Sequence, residues 1–64
     1  MGEVGFLTMS KSYFKVHTDV RPEYRWAYSA RQALWLVWHE YKGYGCKTTW
    51  NQAVDGWEVS AVDS

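Results

Sequence analysis

From Ser12 to Val20 apolar and polar side chains alternate, with Phe14, Val16, Thr18 and Val20 on one side and Tyr13, Lys15, His17 and Asp19 on the other. A period of two marks a half-buried strand. Arg21-Pro22-Glu23 interrupts it, because proline presets its own φ and has no N–H to give a ladder. A second strand is predicted over residues 24 to 28, where Tyr24, Trp26 and Tyr28 alternate with Arg25 and Ala27. The two strands read as a hairpin.

At Ser29 the period lengthens. Ala30, Leu34, Val37, Trp38 and Tyr41 recur at the i, i+4, i+7, i+8, i+11 spacing of one helical stripe. Ser29 followed by Gln32 has the form of a capping box, in which the Ser29 hydroxyl accepts from the Gln32 N–H and the Gln32 side chain returns to the Ser29 N–H. Lys42-Gly43 is the predicted stop, since glycine takes the left-handed conformation that closes a helix. Beyond Gly45, residues 47 to 54 are read as a strand with a polar middle (Thr48, Thr49, Asn51, Gln52). Asp55-Gly56 is read as a tight hairpin turn, and residues 57 to 62, WEVSAV, as the last strand. The predicted fold is α+β in the order β-β-α-β-β, with one helix packed on a three- or four-stranded antiparallel sheet.

A chain of 64 residues has room for one domain, 1–64, and buries only about 60% of the surface its unfolded form exposes. Five Trp, five Tyr and two Phe offset this, each buried ring removing roughly 150 to 250 Å² from water. Most of them are therefore expected to be structural. The first ten residues read as a disordered lead-in or as the stretch before an alternative start at Met9. They lack the basic and apolar regions of a signal peptide, and no apolar run is long enough for a membrane span.

Seven Lys and Arg balance seven Asp and Glu. Neutrality disfavours a broad electrostatic grip on nucleic acid, and it equally disfavours an acidic DNA mimic. The single Cys46 excludes an internal disulfide and a thiolate zinc cluster, and it suits a cytoplasmic chain. His17 beside Asp19 and His39 beside Glu40 are the only meetings of histidine with carboxylate, and neither has the converging ligands a metal needs. A Cys46–His39 nucleophilic pair lacks a third, orienting group. No catalytic residue, metal or cofactor is expected.

Two binding surfaces are legible. On the helix, Arg31, Trp35 and Lys42 share a flank outside the core stripe, with Trp38 between them at the stripe's margin and Leu36 on a further face. Trp and Arg carry a large share of binding energy at protein interfaces, so these five residues form the candidate partner-binding patch. The opposing reading tucks Trp35 against residues 43 to 54 with Arg31 stacked upon it. The second surface is a sheet face carrying Tyr13, Lys15, His17 and Arg25, an interleaving of aromatic and basic side chains that resembles platforms for single-stranded nucleic acid. Its ordinary alternative is a solvated strand face.

The helix segment QALWLVWHEY and the final GWEVSAV, with a strand leading directly into the helix, resemble the small β-β-α-β inhibitors of bacterial RNA polymerase made by T7-like phages. The likeness spans residues 13 to 62 and rests on Ala33, Leu34, Leu36 and Tyr41 in the helix and Gly56, Glu58, Val59 and Val62 near the end. These are mostly core and turn positions. The basic residues with which that family engages the polymerase correspond here to Ala61 and Asp63, and residues 44 to 55 are an addition. The resemblance implies a compact phage-type protein that binds a host protein, such as a polymerase, a nuclease or a CRISPR defence complex, in the host cytoplasm. A homodimer and a nucleic-acid module are the other classes left open.

Overall fold

A computed structural model describes residues 10–62; residues 1–9 of the lead-in, Met9 among them, and Asp63 lie outside them. Five elements follow one another: β1 (Ser12–His17), β2 (Pro22–Ala27), α1 (Ala30–Gly43), α2 (Trp50–Gly56) and β3 (Glu58–Ala61). The three strands form one antiparallel sheet in the order β2-β1-β3. The fold is α+β, in the order β-β-α-α-β.

The hairpin is closed by Thr18. Its hydroxyl accepts from the N–H groups of Val20 and Arg21, at 3.0 and 3.1 Å, and donates to the Arg21 carbonyl at 2.9 Å. One side chain thus satisfies the turn's backbone, a familiar use of threonine, and ends β1 at His17 rather than at Val20. The turn also sets the register. His17 pairs with Pro22, Lys15 with Tyr24 and Tyr13 with Trp26.

The helix begins as its sequence predicts, with the Ser29 hydroxyl accepting from the Gln32 N–H at 3.1 Å. The return bond differs, because the Gln32 side chain accepts from the Tyr28 N–H, at 2.7 Å, instead of that of Ser29. The end differs as well. Gly43 is the last helical residue, and the left-handed position falls at Gly45, with φ 92°. There the Gly45 and Cys46 N–H groups reach back to the carbonyls of Lys42 and Tyr41.

The predicted strand over residues 47 to 54 is not formed, and Asp55-Gly56 is no hairpin turn. Both belong to α2. Trp50, Ala53, Val54 and Trp57 stand at i, i+3, i+4, i+7, the spacing of a short amphipathic helix, and Thr49 caps it with a complete box: Gln52 N–H to the Thr49 hydroxyl at 3.2 Å and Thr49 N–H to Gln52 Oε1 at 3.0 Å. Asn51 and Gln52, which weakened the strand reading, are exposed on its outer side.

Helix packing divides the sheet into two faces. Val16, Ala27, Ala33, Leu34, Val37, Ala53 and Trp57 form the buried core, with Phe14, Leu36, Trp38, Tyr41, Trp50, Val54 and Val59 packed around it. Ala30, the first residue of the predicted stripe, is exposed, and Ala33 is buried in its place. α1 packs on all three strands, and α2 packs against α1. The opposite face of the sheet has neither helix on it.

Candidate functional site

Of Trp35, Trp38 and Trp50, all on the helical side of the sheet, only Trp35 stays at the surface. It is 43% exposed and lies parallel to the His39 imidazole one turn on, with ring centroids 4.7 Å apart and planes within 7°. Trp38 is drawn into the joint with α2. Its indole N–H donates to the Thr48 carbonyl at 2.9 Å, and its ring meets Trp50 edge-on at 5.4 Å. Leu36 is half-buried against the core. The five-residue patch is therefore divided, with Trp38 and Leu36 serving the interior and Trp35 left outside.

The two cations of the flank also sit differently from the expectation. Arg31 lies over Trp50 and Lys42 over Trp38, each 6.0 Å from the ring centroid. They roof the α1–α2 joint by cation–π contact, so Arg31 is not stacked on Trp35. Their charges stay at the surface beside Trp35 and His39. Glu40, the one acidic residue of α1, turns away and clasps Arg25 through two bonds, Nη2 to Oε1 at 2.6 Å and Nε to Oε2 at 3.1 Å. The outer crest of α1, Arg31–Trp35–His39–Lys42, is thereby aromatic and basic.

Arg25 does not belong to the other candidate surface. Because odd positions of β1 oppose even positions of β2, Arg25 shares the helix-covered side with Phe14 and Val16, where it also reaches Glu23 Oε1 at 3.5 Å and the Tyr24 carbonyl at 2.7 Å. Glu23 accepts from Arg21 Nε at 2.9 Å and from the Tyr41 hydroxyl at 2.7 Å. The Arg21 hydrogen bond first, and that of Tyr41 after it, hold the Glu23 carboxyl below the usual range, while burial pushes the Tyr41 phenol up.

In place of Arg25, the uncovered sheet face carries aromatic side chains at every outward position after Pro22. Tyr24, Trp26 and Tyr28 are 42, 57 and 50% exposed. Tyr13 stacks on Tyr24 at 5.6 Å and meets Trp26 at 4.9 Å with the rings tilted by 40°, while Lys11 and Lys15 stand over Tyr28 and Tyr24 at 5.5 and 6.0 Å. Lys15 and His17 are thus on this face as the alternation predicts. The aromatic row and Lys11 were signalled by the alternation of YRWAY and KSYFKVH, but only the register shows that the two sets share a face.

Cys46 lines an open cleft of about 500 Å³ with Val20, Arg21, Tyr41, Tyr44 and Gly45. The Thr48 hydroxyl, then the Thr48 backbone N–H, hold its thiol below the usual range. His39 stacks on Trp35, and no hydrogen bond joins it to Cys46, so the nucleophilic pair considered from sequence is not assembled. Among the described residues no group of three or more His, Cys, Asp or Glu converges as metal ligands would. No helix there is long and apolar enough to cross a membrane.

No protein-family model, curated protein or solved structure matches the chain.

Proposed function

We propose that the protein is a small non-enzymatic protein-binding module, a phage-type inhibitor or modulator of a bacterial host protein complex, which it engages through the α1 crest centred on Trp35. The observation that carries this reading is the exposure of Trp35. On the helical side of the sheet the chain keeps this one indole outside, while Trp38, Trp50 and Trp57 are used inside or at the helix joint. A large aromatic ring among cations, with no carboxylate on its crest, has the composition of an interface hot spot.

The layout adds support. β1, β2, α1 and β3 follow the β-β-α-β order of the T7-like phage inhibitors, with α2 formed by the additional residues up to 55 together with Gly56. The partner is a bacterial protein or complex such as a polymerase, a nuclease or a CRISPR defence complex. Since Ala61 and Asp63 replace that family's basic contacts, the crest of the helix takes the role of the contact surface.

The test is affinity capture from nuclease-treated bacterial lysate with tagged wild-type and Trp35→Ala protein, reading bound proteins by mass spectrometry. A stoichiometric protein held by wild type alone supports the proposal. No retained protein, or equal retention by both, contradicts it.

A further inference from the structure

The uncovered sheet face is a second surface, on the side of the sheet away from the α1 crest, and its arrangement is more specific than exposure alone. Along β1 and the residue before it, the outward side chains run Lys11, Tyr13, Lys15, His17; along β2 and the residue after it they run Tyr24, Trp26, Tyr28. The register sets them in rungs: Lys11 over Tyr28, Tyr13 against Trp26, Lys15 over Tyr24. Each rung has an aromatic ring on the β2 side, and two of the three have an ammonium group on the β1 side, the Lys11–Tyr28 rung lying just beyond the two strands.

We propose that this face binds single-stranded nucleic acid, with bases stacked on the Tyr24, Trp26 and Tyr28 rings and backbone phosphates meeting Lys11 and Lys15. Outward side chains on a strand recur every two residues, about 7 Å apart, so three successive rings form a row along which successive unstacked bases can lie. Aromatic stacking is tolerant of base identity, and a neighbouring row of cations supplies the attraction to the backbone.

Charge distribution favours a polyanion over an apolar partner. The chain is neutral as a whole, but among the described residues Glu23 and Glu40 are withdrawn from this face. Glu23 is tied to Arg21, Arg25 and Tyr41, and Glu40 to Arg25. Among the described strand residues the face holds one carboxylate, Glu58, which pairs in register with His17 on the β3 side. The lysine row and the aromatic row carry none. A protein partner would press apolar atoms onto both lysines and bury them unpaired, which is costly.

The surface offers two phosphate contacts, so binding should be weak and salt-dependent. For single strands each neutralised phosphate contributes a slope of about −0.7 in log affinity against log salt, giving about −1.4 for Lys11 and Lys15 together. Removing one stacked ring should weaken binding roughly 5- to 150-fold.

The experiment titrates the full chain into a fluorescently labelled oligothymidylate of roughly 12 nucleotides, a length within known platform site sizes, following anisotropy across a salt series. The expected result is saturable binding with the stated slope, a lower affinity for the matching duplex, a flattened slope in Lys11→Gln/Lys15→Gln, and the loss above in Trp26→Ala. Circular dichroism verifies that the variants are folded, and Tyr24→Ala repeats the test at an independent ring. Trp35→Ala should bind the oligonucleotide as wild type does, which separates this site from the crest. Absence of binding at low salt, binding unchanged in both ring variants, or self-association of the chain that Trp26→Ala abolishes would each overturn the proposal.

Discussion

Tyr41 and Glu23 stand 18 residues apart in sequence, and the Tyr41 hydroxyl donates to Glu23 Oε2 across 2.7 Å. The bond joins the last turn of α1 to the start of β2, beside the Thr18 turn. Arg21 and Arg25 donate to the same carboxylate, so one half-buried acid gathers the hairpin turn, the edge strand and the helix.

Stability should therefore depend on pH through Glu23. Its folded pKa is lowered, chiefly by the Arg21 hydrogen bond and then by that of Tyr41. A lowered carboxylate pKa contributes stability that is fully present above the unfolded value, about 4.3, and is lost as pH falls from there through the folded value. Urea midpoints measured from about pH 7 down to about pH 3 should show wild type losing its advantage over Glu23→Gln in that acid window. Tyr41→Phe should cost about 1.5 to 3 kcal/mol at neutral pH, in line with loss of a hydrogen bond to a charged group. A parallel pH dependence in wild type and Glu23→Gln would remove Glu23 from this role.

The second prediction concerns α2. At seven residues it is too short to persist alone, so its cap and its docking on α1 must hold it. Thr49→Ala removes half of the capping box and should cost about 1 kcal/mol, together with a fall in far-UV helical signal. An unchanged signal and midpoint would show that the cap is dispensable.

Trp38→Phe tests the joint itself. The phenyl ring keeps much of the contact with Trp50 but leaves the part-buried Thr48 carbonyl without its indole donor, at a cost of about 1 to 3 kcal/mol. Amide hydrogen exchange should rise in residues 48 to 56 more than in the sheet. Uniform exchange across the chain would argue against a local joint.

Much of this fold is legible in the sequence. The alternation of SYFKVH and the Ser29 cap locate the hairpin and α1, because both signals are local. Residues 47 to 54 mislead for a physical reason: Thr48, Thr49, Asn51 and Gln52 suggest a poor strand, while Trp50, Ala53, Val54 and Trp57 make a helical stripe only when Trp57 is counted with it. The Thr49–Gln52 box was the available sign. Arg25 was misplaced because alternation within each strand leaves open which positions share a face across the pair. The Thr18 turn fixes that parity, and a slip of one residue would reverse it. Trp35 and Trp38 lie within the same turn of α1, and their fates separate only because Trp50 and Thr48 arrive on one side.

Trp57, 7% exposed, sets the contrast for Trp35. Trp57→Ala should cost about 3 to 5 kcal/mol, as core aromatic truncations do, a large share of the stability of a small domain. Trp35→Ala should shift stability by about 0.5 kcal/mol or less, as expected at a surface position.

The most direct test of the Trp35 crest is retention of the captured bacterial protein by Trp35→Ala, measured beside the urea midpoint of the same variant. The account predicts that retention is lost while the midpoint stays near that of wild type. Retention at the wild-type level, or a midpoint that collapses together with retention, would contradict it.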